Sequence, residues 1–354
     1  MILEVDELVH RYGTEPAVDG VSFGIESGEI LAVLGPSGCG KTTLVQAIAG
    51  HLQPTAGRIR LRGGDVTDVP PETRRVGLVF QESTLFPHLT VAENVAYGLR
   101  ARDVDREERE ATVSHYLELV SLEDCHETYP AELSGGQRRR VELARALAPQ
   151  PDVLLLDEPL SALDRSLRVR LREEIRDIQR KTGVTTLFVT HDQEEAMALA
   201  DRLVVMDDGE VAGIGRSREL YESPPDPFVA SFLGRSSRLE GTLTSKTPPT
   251  VALGDAEIRV DSVDGLEVGD RVSCHVRPET VSLRDKSGLT GEVREVADVG
   301  RRYDLEVRLE TGDVLTVECR SDPPEVGERI GVDLEGASLT VFPTDGCVPV
   351  SRRH

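Results

Sequence analysis

A glycine-rich segment at residues 35–42 reads GPSGCGKT, with a lysine and a threonine after the last glycine. A short apolar run precedes it and TTLVQAIAG follows, so we predict a loop between a buried strand and a helix. Such a loop turns backbone N–H groups toward phosphate oxygens, and the helix N-terminus adds partial positive charge. We expect Lys41 to reach the β- and γ-phosphates of ATP and the Thr42 hydroxyl to ligate Mg²⁺. The expected nucleotide contacts of this segment are Gly35, Pro36, Ser37, Gly38, Cys39, Gly40, Lys41, Thr42 and Thr43.

Two adjacent carboxylates end a second apolar run, VLLLDEP at 153–159. Asp157 is placed to hold the Mg²⁺ shell, directly or through water. Glu158 is placed to polarise a water that attacks the γ-phosphate. A pair of acids after a strand is more often a helix cap or a surface feature. Here the pair closes an uncharged strand, where a buried carboxylate needs a counter-ion that a metal could supply.

Two further polar residues follow apolar runs: Gln81 comes after VGLVF and His191 after TLFVT. Near-continuous apolar runs of this length are typical of strands buried on both faces of a parallel sheet. The carboxyl ends of such strands share one edge, where ligands bind in open α/β sheets. We therefore expect Gln81, Asp157, Glu158 and His191 to converge beside the glycine-rich loop.

The segment LSGGQ, at 133–137, precedes the helical stretch RRRVELARALA. Ser134, Gly135, Gly136 and Gln137 would then lie at a second helix N-terminus, a second place where an anion could bind. A simple N-cap is the competing interpretation. It explains Ser134 but not the two glycines, which weaken a helix start.

Up to about residue 235, the elements that must position these residues follow an α/β pattern, in which apolar strand runs alternate with helical stretches. Buried strands are predicted at 30–35, 76–80, 153–157, 186–190 and 202–207, with a mostly helical insert at about 90–150. From 236 to 354 short alternating runs and turn signals predict a small all-β domain. The segments VGD (268–270) and VGE (326–328) could mark an internal repeat of that domain.

Taken together, GPSGCGKT, Gln81, LSGGQ, LLLDEP, SALD (161–164) and His191 resemble the ABC transporter ATPase family over residues 1–235. The resemblance implies a P-loop cassette with a helical subdomain, working as a head-to-tail dimer in which one subunit's LSGGQ caps the ATP of the other. It implies adenine stacking on Tyr12, a catalytic group of Glu158, His191 and Gln81, and Mg²⁺ ligands Thr42, Gln81 and Asp157. Asp164 would contact the second subunit. Arg139 and Glu142 depart from the family, which more often has a glutamine and a small residue there.

The segment DRVSCHVRPETVSL, at 270–283, resembles the TOBE domain, an OB-like β domain appended to importer ATPases. LFPHLTVAENVAYGL, at 85–99, resembles the region of those importers that receives the coupling helix of the membrane subunit. The resemblance implies transmembrane permease subunits as partners, with an extracellular solute-binding protein acting indirectly. It places the protein peripherally on the cytoplasmic face of the membrane.

The composition supports this interpretation. No apolar run approaches the roughly 20 residues that cross a bilayer. With 63 acidic and 41 basic residues the net charge is -22, which disfavours nucleic acid as a partner. We interpret the acidic surface as salt adaptation; an ordinary acidic protein from a GC-rich genome is the alternative.

The expected function is ATP hydrolysis coupled to solute import. Ferric iron or a small oxyanion is the first expectation for the solute, and a polyamine, a sugar or thiamine are the alternatives. A soluble ABC ATPase of DNA repair or translation is the alternative class, but it usually carries a coiled-coil insert or two tandem cassettes. A P-loop phosphotransferase has no use for LSGGQ. The β domain could be a spacer or an effector-binding regulator.

Overall fold

The structure is a computed structural model that describes residues 1–161, 164–284, 289–334 and 339–344. The chain divides into two compact units between Ser217 and Arg218, earlier than the expected boundary at 235. Two short helices between these positions belong to the second unit. They do so because the buried Arg277 guanidinium donates to the carbonyl oxygens of Tyr221, at 3.0 Å, and of Ala230, at 2.9 Å.

The first unit contains two sheets. Its described strands are β1 (Leu3–Tyr12), β2 (Glu15–Ile25), β3 (Ile30–Leu34), β4 (Ala56–Leu61), β5 (Gly64–Asp65), β6 (Val76–Val79), β7 (Val153–Asp157), β8 (Thr185–Thr190), β9 (Arg202–Asp207) and β10 (Glu210–Gly215). Six of them form a sheet in the order β10-β9-β3-β8-β7-β6, parallel except for the β9–β10 pair. The five predicted buried strands are the parallel strands of this sheet.

A four-stranded antiparallel sheet in the order β2-β1-β4-β5 is the element that the sequence analysis missed. The pairing of β1 with β2 is interrupted by register shifts, and both strands alternate buried with partly exposed residues. This alternation gives no continuous apolar run of the kind that identified the parallel strands. Leu3, Leu8 and Ile25 pack in the same core as Leu44 and Ile48, so this sheet helps to bury the helix that follows the glycine-rich loop.

The described helices are α1 (Lys41–Ala49), α2 (Val91–Ala101), α3 (Arg106–Leu119), α4 (Gly135–Leu147), α5 (Arg165–Thr182), α6 (Gln193–Leu199), α7 (Ser217–Glu222) and α8 (Pro227–Phe232). Between β6 and β7, where every residue is described, the chain forms α2, α3 and α4 and no strand. This agrees with the helical insert expected at about 90–150. Within the described ranges, no helix combines the length and the apolar character needed to cross a membrane.

The second unit is built mainly from antiparallel strands. They are β11 (Ser237–Lys246), β12 (Pro249–Leu253), β13 (Ala256–Arg259), β14 (Arg271–Val276), β15 (Ser282–Arg284), β16 (Leu289–Asp298), β17 (Tyr303–Leu309), β18 (Val314–Cys319), β19 (Arg329–Asp333) and β20 (Leu339–Pro343). They form two sheets, in the orders β13-β12-β11-β14-β20 and β15-β19-β16-β17-β18. Apolar side chains from both sheets, Leu243 and Val293 among them, share one core.

The two sheets repeat the same arrangement, as the VGD and VGE segments suggested. Gly269 (φ 100) donates its N–H to the carbonyl of Leu243, and Gly327 (φ 89) donates to that of Val293, both at 2.8 Å. The strands β11 to β14 correspond in order and pairing to β16 to β19. Each sheet is then completed by a strand of the other repeat, because β15 pairs with β19 and β20 pairs with β14.

Candidate functional site

Four adjacent strands bring the predicted residues together. β3, β8, β7 and β6 are neighbours and run parallel, so their carboxyl ends lie along one edge of the sheet. The glycine-rich loop follows β3, Gln81 follows β6, Asp157 ends β7 and His191 follows β8. The sequence analysis expected this convergence.

The glycine-rich loop wraps around a buried lysine. Lys41 is 5% exposed, and its Nζ donates to the carbonyl oxygens of Gly35 at 2.9 Å and Pro36 at 2.8 Å. Gly40 precedes α1 with φ 97 and caps it without a side-chain hydrogen bond. A Cβ at Gly40 would collide with the carbonyl oxygen of Ala17, so a glycine is required here. The loop therefore offers an ammonium group and an uncapped helix N-terminus to an anion.

Asp157 supplies a buried carboxylate beside this loop. The side chain is 5% exposed, and among the described residues its Oδ1 has no hydrogen-bond partner. Burial raises the pKa of Asp157, and the charge of Glu158 raises it further, while Lys41 and a hydrogen bond from Thr42 oppose the shift. A carboxylate oxygen without a partner near a threonine hydroxyl fits Mg²⁺. This ion prefers oxygen ligands and is usually bound by one or two protein carboxylates together with the phosphates of the substrate.

The Glu158 carboxylate is held between two polar side chains. Gln81 Nε2 donates to Glu158 Oε2 at 3.2 Å, and His191 Nδ1 lies 3.1 Å from the same oxygen. The Glu158 backbone has φ 43, an uncommon conformation for a residue other than glycine. Its N–H donates to Val189 at 2.9 Å and its carbonyl accepts from the Ser161 hydroxyl at 3.0 Å. These bonds fix the direction in which the carboxylate points.

These groups open into one cavity of about 590 Å³. Its lining residues are Tyr12, Ala17, Ser37, Gly38, Gly40, Lys41, Thr42, Thr43, Gln81, Glu158 and His191. Tyr12 is exposed at the cavity rim, with the His10 ring edge-on at 4.8 Å. Of the predicted loop contacts, Cys39 instead turns into the hydrophobic core, where burial raises the pKa of its thiol. Ala17 is a lining residue that the sequence analysis did not identify.

The LSGGQ segment forms the start of α4 and is self-capped. Ser134 Oγ accepts from the Gln137 N–H at 3.2 Å, and Gln137 Oε1 accepts from the Ser134 N–H at 2.9 Å. A Cβ at Gly136 would lie 2.9 Å from Leu167 Cδ1, so close packing against α5 favours glycine there. The N-cap interpretation is thus correct for Ser134. Within the described part of the chain, Ser134 to Gln137 do not line the cavity around Lys41.

Asp164 caps α5 through its side chain. Its Oδ1 accepts from the N–H groups of Ser166 and Leu167, both at 3.0 Å, and from the Ser166 hydroxyl at 2.7 Å. These hydrogen bonds lower the pKa of Asp164. Residues 162 and 163 of the SALD motif lie outside the described residues.

The loop after Gln81 is fixed from two helices. Asn94 of α2 is fully buried; its Oδ1 accepts from the Phe86 N–H at 2.8 Å and its Nδ2 donates to the carbonyls of Phe86 and Leu89 at 3.1 Å. Arg139 and Glu142 of α4 hold the part of the loop nearer Gln81. Their departure from the family pattern was noted in the sequence, but these contacts could not be foreseen because they join segments far apart in the chain.

Comparison with known proteins agrees with this geometry. Residues 18–161 match the family model of the ABC transporter and residues 274–342 match that of the TOBE domain. The spermidine/putrescine import ATP-binding protein PotA of Roseobacter denitrificans is 42% identical over 96% of this chain and 97% of its own. The sulfate/thiosulfate import ATP-binding protein CysA 2 of Chromobacterium violaceum is 42% identical over 96% and 95%.

A third relative is the Fe(3+) ions import ATP-binding protein FbpC of Fusobacterium nucleatum, 36% identical over 97% of this chain and 94% of its own. Among solved structures, cbiO1 of Clostridium perfringens, part of the ABC transporter complex cbiONQ, superposes with a TM-score of 0.58 at 31% identity. It covers 62% of this chain and 90% of its own.

Proposed function

This chain belongs to the ATP-binding subunits of ABC importers, which are ATPases coupled to transport, and we propose that it hydrolyses ATP in the cavity between Lys41 and Glu158. The observation that carries this proposal is the placement of Gln81 and His191 on one Glu158 oxygen, at 3.2 and 3.1 Å, in the cavity that Lys41 also lines. A carboxylate so held can receive a proton from a water beside the γ-phosphate.

The glycine-rich loop would bind the triphosphate. The loop N–H groups and Lys41 provide charge-assisted hydrogen bonds to phosphate oxygens. Thr42, Asp157 and Gln81 would hold Mg²⁺, which supplies neutralisation of the phosphate charge when bound. Tyr12, exposed at the cavity rim, would stack on the adenine.

Glu158 would act as the general base. Its carboxylate orients the attacking water and takes up the proton that the water loses. His191 and Gln81 keep the carboxylate directed at the γ-phosphate position, and His191 would itself contact that phosphate. Most of the remaining catalysis is positioning, as is usual in phosphoryl transfer.

The active form would be a head-to-tail dimer. The cavity of a single chain presents donors from the glycine-rich loop on one side of the triphosphate. The LSGGQ segment begins another helix and does not line this cavity in the part of the chain that the structure describes. A second subunit that brings its own LSGGQ to the open side would complete the set of donors.

The partners would be membrane permease subunits. The loop after Gln81 offers an aromatic surface to a coupling helix. Phe86 is held there by Asn94, and the ring of the exposed Tyr97 is tilted against the Phe86 ring with the two centroids 4.5 Å apart. The protein would sit peripherally on the cytoplasmic face of the membrane, an extracellular solute-binding protein would act indirectly, and nucleic acid would not be a partner. Relatives of equal identity, 42%, are named for spermidine/putrescine and for sulfate, which agrees with a solute bound by other subunits.

For the solute we propose ferric iron or a small oxyanion, with a polyamine as the second candidate. The three relatives described above are named for Fe(3+) ions, for sulfate/thiosulfate and for spermidine/putrescine, so each of these solute classes has a relative that covers nearly the whole chain. Uptake of labelled ferric iron, sulfate and putrescine, with and without the gene, tests this assignment. Loss of putrescine uptake alone would favour the second candidate.

The Glu158→Gln variant tests the hydrolytic role. The amide keeps the shape but not the basicity, so we expect ATP binding to persist and turnover to fall about 10²–10⁴-fold. With hydrolysis blocked, an ATP-bound dimer should accumulate and elute earlier in gel filtration. Glu173→Gln, an exposed position on α5, is the matched control. Unchanged turnover in Glu158→Gln would remove Glu158 from this role.

A further inference from the structure

An ion pair is buried at the first turns of α4. Arg139 is 7% exposed and Glu142 is 3% exposed, and Arg139 Nη1 lies 2.7 Å from Glu142 Oε2. Two charges removed from water are costly unless further hydrogen bonds satisfy them. These two side chains do find such bonds, and they find them on the loops of the candidate catalytic site.

The Arg139 guanidinium joins two loops. Its Nε donates to the Pro159 carbonyl at 2.7 Å, its Nη1 to the Phe80 carbonyl at 2.6 Å and its Nη2 to the Gln81 carbonyl at 3.0 Å. Pro159 directly follows Glu158, and Gln81 is the residue that donates to Glu158. One planar group therefore fixes the backbone on both sides of the Gln81–Glu158 contact.

Glu142 and Arg145 extend this attachment along the Gln81 loop. The second Glu142 oxygen accepts from the Thr84 N–H at 2.9 Å, and Arg145 donates to the Thr84 carbonyl at 2.7 Å and to its hydroxyl at 2.5 Å. Three side chains spaced one turn apart on α4 thus hold the loop from residue 80 to residue 84. The same helix begins at LSGGQ.

We propose that Arg139 is a positioning residue for ATP hydrolysis, which it serves by holding the Gln81 loop and the Pro159 carbonyl at the separation that places Gln81 on Glu158. Glu142 orients the guanidinium. This inference rests on the hydrolytic role proposed for Glu158.

The test is Arg139→Lys. Lysine keeps the charge beside Glu142 but replaces a rigid fork with a single flexible ammonium group, so it cannot span the carbonyls of both loops. We expect kcat to fall about 10-fold, with KM for ATP within about 2-fold and the melting temperature close to wild type, because misplaced reacting groups lower the rate at unchanged affinity. Arg180→Lys, exposed on α5, is the control.

A double-mutant cycle that combines Arg139→Lys with Glu158→Gln distinguishes a positioning role of Arg139 from a general contribution to stability. If Arg139 acts through Glu158, Arg139→Lys should cost almost nothing further in the Glu158→Gln background, because residues that act as a unit are not additive. A fully additive loss, or an Arg139→Lys kcat within 2-fold of wild type, would overturn the proposal.

If Arg139→Lys does not fold, the neutral double variant Arg139→Leu/Glu142→Leu takes its place, because it leaves no unpaired buried charge and no donor to the carbonyls of the two loops. A kcat within 2-fold of wild type in this double variant would equally overturn the proposal. Absence of ATPase activity in the wild-type protein would instead refute the proposed function itself, which keeps the two failures distinct.

Discussion

The helices α1 and α4 begin in opposite ways, although the sequence predicted an anion site at both. Gly40 caps α1 with no side-chain hydrogen bond, and the side chain of Lys41, the first residue of the helix, folds back onto the carbonyl oxygens of the preceding loop. Ser134 caps α4 through a reciprocal pair of hydrogen bonds with Gln137. The α1 terminus thus leaves its N–H groups to a ligand, whereas the α4 terminus already satisfies part of its own.

The difference suggests separate roles for the two helices: α1 in nucleotide binding by a single chain, and α4 in completing the site of a second subunit. Under the proposed function, a single chain would bind a triphosphate at α1 as it stands. At α4 a phosphate must compete with the Ser134–Gln137 pair, which stabilises the helix start by about 1 kcal/mol. We therefore expect α4 to engage only when a second subunit presents its bound nucleotide.

Among the tests of this difference between α1 and α4, Ser134→Arg should have the largest effect. The bulky cation removes the hydroxyl donor and fills the space beside the LSGGQ backbone, so we expect hydrolysis to fall by at least about 10²–10³-fold, the loss typical when one preorganised donor is removed. Binding of a fluorescent ATP analogue to the single chain should be unchanged. Ser114→Arg, exposed on α3, is the control. Weakened binding by the single chain would erase the proposed distinction between the helices.

Lys41→Ala should weaken binding itself. Loss of a charge-assisted contact to the phosphates predicts an ATP affinity about 10–100-fold lower, measured by titration of the isolated chain. Lys181→Ala, exposed at the end of α5, should bind as wild type.

Mixing Lys41→Ala with Ser134→Arg sharpens the comparison further. A heterodimer rebuilds one composite site from the intact loop of one chain and the intact LSGGQ of the other. We expect partial recovery of turnover. No recovery would leave the shared-site model without support, unless both composite ATP sites of the dimer must be intact for hydrolysis.

Salt should act mainly on dimerisation, and we expect it to change the ATPase rate by a smaller factor than the substitutions above. Each chain carries a net charge of -22, so dimerisation brings two acidic bodies together. Raising KCl from about 0.1 M to 1 M shortens the Debye length from roughly 10 Å to 3 Å. We expect ATPase rate and melting temperature to rise into the molar range of KCl. If both are highest at 0.1 M, the interpretation as salt adaptation is wrong.

The sequence predicted the parts of the molecule whose signals are local. β3 and β7 were identified from nearly continuous apolar runs. Because the carboxyl ends of parallel strands lie along one edge of the sheet, the residues that follow them must be close together. The convergence of Lys41 with Glu158 could therefore be predicted from the sequence. The β1–β2 sheet was missed because its strands alternate and carry register shifts.

The contacts of Arg139 lay beyond such reasoning for a different reason. Its partners Phe80, Gln81 and Pro159 are distant in the chain, and nothing in the RRRVELA segment marks the guanidinium as buried. The boundary at Ser217 was likewise set by a long-range contact, that of Arg277 with Tyr221. Burial of charge, unlike apolar periodicity, depends on the tertiary structure.

β15 and β20 each pair with a strand of the other repeat of the second unit. Neither repeat should therefore form a complete sheet on its own. A fragment that ends after β15 would keep β11 to β14 but leave the β14 edge, where β20 pairs, open to water. A fragment that starts at β16 would likewise lack the strand on β19. Exposed edges of this kind attract other strands, so each fragment should associate with its complement and re-form one cooperative unit.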